Sequence, residues 1–134
     1  AAQGLTLTEG YYWNLDDKSR EFAKKFYART KKMPNMIHSG TYSAVLQYLK
    51  AVQKAGTDET EAVAKALHEM PVDDVFGRGG TVGPNGRMIH DMYLLQVKKP
   101  SESKEPWDYY NVLATIPGKE AYIDPAKSGF DLVK

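Results

Sequence analysis

The sequence has no cysteine among its 134 residues. That excludes disulfides, thiolate metal sites and a cysteine nucleophile, but it leaves the compartment open, because a domain of this size folds without bridges. An excess of one charge is also missing: 18 Lys plus Arg stand against 17 Asp plus Glu, for a formal net charge of +1. No basic surplus exists to draw the chain to nucleic acid or to an anionic membrane. No run approaches the ~20 apolar residues that cross a bilayer. Ala1-Ala2-Gln3-Gly4 carries neither the basic nor the apolar region of a signal peptide. Branched aliphatics and Phe are scarce as well, with Leu, Ile, Val and Phe numbering 27 of 134, a share that alone would suggest disorder. Nine Tyr, two Trp and the near-balanced charge argue the other way. At this length the chain supports one folded core rather than two.

What is present reads as helices followed by strands. Gly4 to Thr8 alternates apolar and polar and leads into Tyr11-Tyr12-Trp13, which predicts a strand and then an aromatic loop. Asp16 or Asp17 is placed to cap a first helix with Phe22, Ala23, Phe26 and Tyr27 on its apolar side, ending before Pro34. A second helix opens at Ser39 or Thr41 and carries Tyr42, Val45, Leu46, Leu49 and Val52 on one stripe, with Gly56 as its terminator. Asp58 and Glu61 have capping-box spacing for a third, bearing Val63, Ala66, Leu67 and Met70 and stopped by Pro71. Gly83-Pro84-Asn85-Gly86 then predicts a turn within a short hairpin or corner. Met88 to Val97 and Tyr109 to Ile116 read as strands covered on both faces, separated by a polar, proline-bounded loop. Two or three such strands need more sheet and more helix than this chain supplies. It is either a small α+β domain with an antiparallel sheet or part of a larger fold.

Few side chains suggest chemistry. His38, His68 and His90 show neither the i,i+4 nor the His-x-His spacing of a visible metal site, so no metal is expected. Gly77-x-Gly-Gly lacks the strand, lysine and helix of a phosphate-binding loop and reads as turn chemistry. Ser39, Ser43, Asp16, Asp17, Asp73 and Asp74 form no catalytic motif, and no catalytic residue is nominated. The aromatics offer more. Tyr11, Tyr12 and Trp13 cluster after the first strand, and Tyr42, placed in the first turn of the second helix, would sit where free N–H groups favour a carboxylate. Two readings stay open for Tyr42: the wall of a pocket for a small anionic or aromatic ligand, or the first core residue of its helix.

An ordered series of segments carries a resemblance. Gly4-Leu5-Thr6-Leu7-Thr8, Tyr12-Trp13-Asn14-Leu15, Arg20 to Phe26, Gly40-Thr41-Tyr42-Ser43-Ala44-Val45, Tyr48 to Val52, Val72 to Phe76, Gly86-Arg87-Met88, His90 to Leu94 and Trp107 to Tyr110 follow one another. Together they resemble the C-terminal third of periplasmic solute-binding proteins of ABC transporters, of the leucine/isoleucine/valine-binding type. The resemblance implies an α/β chain, a portion of a two-lobed type I periplasmic-binding fold with three helices and three to five strands, whose N-terminal part is absent. Residues 1–134 would contribute to both lobes, about 9–80 mainly to one and about 88–134 mainly to the other. Leu132-Val133-Lys134 would match the natural C-terminus.

The same resemblance implies a periplasmic protein, not an enzyme and without cofactor, that captures a small carboxylate and delivers it to a membrane permease. An alkyl amino acid, a 2-oxo acid and an aromatic acid all fit. Ile37, His38 and Tyr42 match the family region that approaches the ligand side chain; the main ammonium and carboxylate clamps would lie in the absent part. The surfaces left open would be met by that missing part or by self-association as a dimer. The rivals are a stand-alone α+β sensory or protein-interaction domain and a small hydrolase using His90-Asp91.

Overall fold

The computed structural model describes residues 2–127. Strand β1 (Thr6–Glu9) pairs antiparallel with β4 (Met92–Val97), and β4 with β5 (Tyr110–Ile116), giving one sheet in the order β1-β4-β5. Between β1 and β4 lie α1 (Asp17–Thr30), α2 (Met36–Ala55), α3 (Thr60–Glu69) and a small hairpin of β2 (Thr81–Val82) and β3 (Met88–Ile89). A short α4 (Gly118–Ala121) and a single 3-10 turn, Pro125–Lys127, follow β5. The expected match of the natural C-terminus to Leu132-Val133-Lys134 lies outside the described residues.

Local chemistry explains the helix ends. Asp16, in extended backbone, accepts the Ser19 N–H at 2.8 Å and starts α1. Helix α2 begins at Met36 rather than at Ser39 or Thr41. Asn35 accepts the Ile37 and His38 N–H groups, and His38 Nδ1 accepts the N–H of Asn35, which closes a reciprocal cap. The Ser39 hydroxyl is spent on the carbonyls of Asn35 and Met36. Gly56, at φ +69°, ends α2 as expected. Glu59, not Asp58, caps α3 through the N–H groups of Glu61 and Ala62. The turn at 83–86 closes with Gly86 N–H donating to the Gly83 carbonyl at 2.8 Å.

The face that α2 buries is the reverse of the expected one. Its buried residues are Ser39, Ser43, Gln47 and Ala51, one small or polar side chain per turn. Tyr42, Val45 and Leu49 face outward, with Leu49 57% exposed. The small stripe sits against the segment after α3: Gln47 Nε2 donates to the Pro71 carbonyl, and the Ser43 hydroxyl donates to Asp74 at 2.6 Å. Strand β5 corrects the expectation of cover on both faces, since Val112 and Leu113 are exposed. Strand β4 alternates, with Tyr93 and Leu95 buried. The segment Met88 to Val97, expected to be one strand, divides into β3 and β4 around His90-Asp91.

The main core is built from Tyr11, Tyr12, Trp13, Ala23, Val75, Tyr93 and Leu95, so the aromatic loop is packing first of all. A separate small core of Ala51, Val63 and Ala66 joins α2 to α3. Two carboxylates fasten the turn after α3. Buried Asp74 accepts the Ser43 hydroxyl and the N–H groups of Phe76 and Gly77, the last two at 2.8 Å. Asp16 takes a two-pronged bond from Arg78, whose guanidinium also reaches Ser19 Oγ at 2.7 Å. The Arg78 bond holds the Asp16 carboxyl well below the usual carboxylate range. Glycine is required at position 80, where a Cβ would lie 2.4 Å from the Ile89 carbonyl oxygen.

Two outcomes follow. Asp74→Ala strands two main-chain donors, one of them buried, and is expected to cost about 2–4 kcal/mol in urea unfolding, whereas Asp74→Asn, which keeps one acceptor oxygen, costs less than half of that. The outward apolar stripe of α2 and the bare face of β5 are expected to make the isolated chain self-associate. Sedimentation over a tenfold concentration range should show a rising average mass. A compact monomer throughout would mean that these residues close their own surface.

Candidate functional site

The three residues nominated from the sequence lie on α2, but they do not converge. Ile37 is 66% exposed in the first turn. His38 is held by its bond to the Asn35 N–H and lies over Phe26, ring centroids 4.8 Å apart. Tyr42 sits in the second turn, not the first, so the free N–H groups at the start of the helix belong to residues before it. Its ring packs 5.1 Å from that of Phe22. His38 and Tyr42 thus share an apolar groove of about 330 Å3 between α1 and α2, with Lys25 and Arg29 also in its lining. Ile37 does not line it.

A second concavity, of about 240 Å3, opens where β1 ends. Tyr11, Tyr12 and Trp13 line one side, Trp107, Tyr109 and Tyr110 another, and Met33, Pro34, Asn35 and Met36 complete it beside Glu9. The aromatic cluster after the first strand was visible in the sequence. Its partners were not, because Trp107 to Tyr110 arrive from the far end of the chain through pairing of β5 with β4. The polar tips on the first side are tied inward. Tyr11 Oη donates to the Ser19 carbonyl, Tyr12 Oη to Asp108 and Trp13 Nε1 to the Trp107 carbonyl at 2.8 Å.

Behind this wall Asp108 is buried with Lys98, Nζ to Oδ1 2.6 Å. Burial pushes the Asp108 carboxyl up, but the bonds from Lys98 and the Lys104 N–H, with the Lys98 charge, outweigh it and hold it below the ordinary value. Burial pushes the Tyr12 phenol up to about 12, so it remains a neutral donor.

His90-Asp91, the acid/base rival, has another arrangement. His90 Nδ1 lies 2.8 Å from the Asp91 carbonyl oxygen, which only accepts, so that nitrogen carries the proton. Nε2 then accepts from Tyr122 Oη at 2.7 Å. Burial lowers the His90 pKa against the opposing pull of Asp91. The Asp91 carboxylate is turned to the Gly118 N–H and does not orient the imidazole.

A family model described as periplasmic binding protein matches residues 1–104. The chain belongs to the periplasmic binding protein family. Among solved structures it is similar to a periplasmic binding protein from Burkholderia mallei, with 49% identity over 99% of this chain and a TM-score of 0.94. It is also similar to a branched chain amino acid ABC transporter periplasmic ligand-binding protein from Burkholderia xenovorans LB400, with 44% identity over 97% of this chain and a TM-score of 0.92. A solute binding protein of an ABC transporter from Rhodopseudomonas palustris BisB5, solved with 3,4-dihydroxy benzoic acid, shares the fold at 20% identity over 95% of this chain, with a TM-score of 0.74. The chain spans 35% of the length of each Burkholderia protein and 34% of the third. No curated protein matches it. In this family member the helices and strands form part of a type I periplasmic-binding fold, as the resemblance implied.

Structural and surface roles at the start of α2 separate by substitution. His38→Ala is expected to lower stability by about 0.5–1 kcal/mol through loss of the reciprocal cap. Ile37→Ala should change it by less than about 0.5 kcal/mol, being exposed. Urea unfolding of both variants checks this.

Proposed function

We propose that this chain is part of the solute-binding component of an ABC importer, working in the periplasm by capturing a small carboxylate and delivering it to a membrane permease. The observation that carries the reading is the 44% identity, over 97% of this chain, with a protein described as a branched chain amino acid ABC transporter periplasmic ligand-binding protein. Ile37, His38 and Tyr42 are the proposed ligand-side residues. Their end of α2 is open here, and in a chain of the relatives' length the other two-thirds would supply the opposing wall and the groups that clamp the charged ends. Residues 9–80 would then serve mainly one lobe and residues 88–134 mainly the other. A branched-chain amino acid leads among the ligands, with 2-oxo and aromatic acids behind it.

The test is a chimera in which residues 1–134 replace the matching part of the Burkholderia xenovorans protein. It is expected to bind leucine, isoleucine or valine in calorimetry at micromolar concentration. Tyr42→Ala in the chimera should weaken binding by about 1–3 kcal/mol. The isolated chain should show a Kd above ~1 mM for the same amino acids. A folded chimera that binds none of these solutes would overturn the assignment. An unchanged Kd for Tyr42→Ala with a lower melting temperature would leave Tyr42 as packing alone.

A further inference from the structure

Glu9 occupies the last position of β1, on the same side of the strand as Leu7, which packs against the main core. Alternation along a strand therefore turns this carboxylate inward, toward the aromatic concavity that it lines. Among the described residues this carboxylate has neither a hydrogen bond nor an ion pair. Burial alone acts on its carboxyl and pushes its pKa up. A half-buried carboxylate without a cation is costly, and no other side chain lining the space carries a charge.

Those walls are rings set at steep angles to one another. Tyr12 meets Trp13 at 65° and Tyr110 at 69°, and Tyr109 meets Tyr110 at 83°, with centroids 5.4 to 6.4 Å apart. Trp107 carries φ +72°, a left-handed backbone that a bulky side chain rarely adopts. The Trp13 Nε1 bond to its main-chain carbonyl ties this residue's backbone to the opposite wall. The Asn35 side-chain oxygen is spent on the α2 cap. What faces the space is aromatic surface, together with Met33, Pro34 and Met36, and Glu9 is the one charged side chain in the lining.

We propose that the concavity bounded by Glu9, Tyr12, Trp13, Trp107, Tyr109 and Tyr110 is a binding site for a small methylated ammonium ion. Ring faces attract a cation through their quadrupoles, and the carboxylate supplies the counter-charge. A cation without N–H groups suits the site best, because a lining made mostly of ring faces and apolar side chains offers few acceptors to a primary ammonium's donors. About 240 Å3 admits a group the size of tetramethylammonium. The inference stands apart from the transport reading and survives its failure, since none of Ile37, His38 or Tyr42 lines this space.

Trp13 and Trp107 are the chain's two tryptophans, so their emission reports on the site directly. Titration of the 134-residue chain with tetramethylammonium chloride is expected to give a saturable change, with Kd below about 10 mM. At equal ionic strength, methylammonium and the neutral isostere 2,2-dimethylpropan-1-ol should bind at least fivefold more weakly. Glu9→Gln, isosteric and at a strand end, should weaken tetramethylammonium binding at least fivefold with an unaltered melting curve. Equal affinity for the cation and its neutral isostere overturns the proposal by itself, whatever the variant does. So does a Glu9→Gln protein that is folded and binds the cation as tightly as the parent.

Discussion

A single buried carboxylate joins the helical part of this chain to the part that returns to the sheet. Asp74 takes three hydrogen bonds, from the Ser43 hydroxyl on α2 and from two main-chain N–H groups of the turn that it begins. An acidic side chain out of water survives only when its lone pairs are met by donors, and here the donors come from both sides of the junction. With that point fixed, Arg78 is delivered to Asp16 at the head of α1, and Gly80 comes close enough to bridge Val72. The path of the chain from helix to hairpin is a consequence of where those donors are.

The same junction explains why α2 turns its smaller side inward. Ser39, Ser43, Gln47 and Ala51 form a low ridge that lets the segment from Pro71 to Gly77 lie against the helix backbone. Larger residues on that ridge would hold the two apart and break the bonds to Asp74. The opposite side, with Tyr42, Val45 and Leu49, is left facing water within the described residues. A helix with packing demands on both sides belongs to a larger layered structure. The 35% share of the Burkholderia proteins' length agrees with this.

The elements of the fold were largely legible in the sequence, and their orientation was not. Gly4 to Thr8, the helix-forming stretches and Pro84-Asn85 announced a strand, three helices and a turn because each rests on local preference. The start of α2 was misplaced because its cap uses His38 where Glu or Gln is usual, and Ser39 looked the better opening. The inward side of α2 was misread because periodicity marks which residues share a side, and says nothing about which side meets the chain's own core. Of the aromatic concavity, Tyr11, Tyr12 and Trp13 could be seen as a cluster. Glu9 and Trp107 could not, since strand pairing across most of the chain brings them together.

That pairing also governs the order in which the molecule can be assembled. Glu9 lies opposite Tyr93, so the first strand acquires its partner only after all three long helices and the small hairpin have been laid down. Until then β1 lacks its β4 partner, and the aromatic loop behind it lacks Tyr93 and Leu95 to cover it. Closing so wide a loop carries an entropic cost that local helix formation does not, and it places the sheet late in the sequence of events. Within these residues the sheet is therefore the last layer to close, after the helices that lie between its strands.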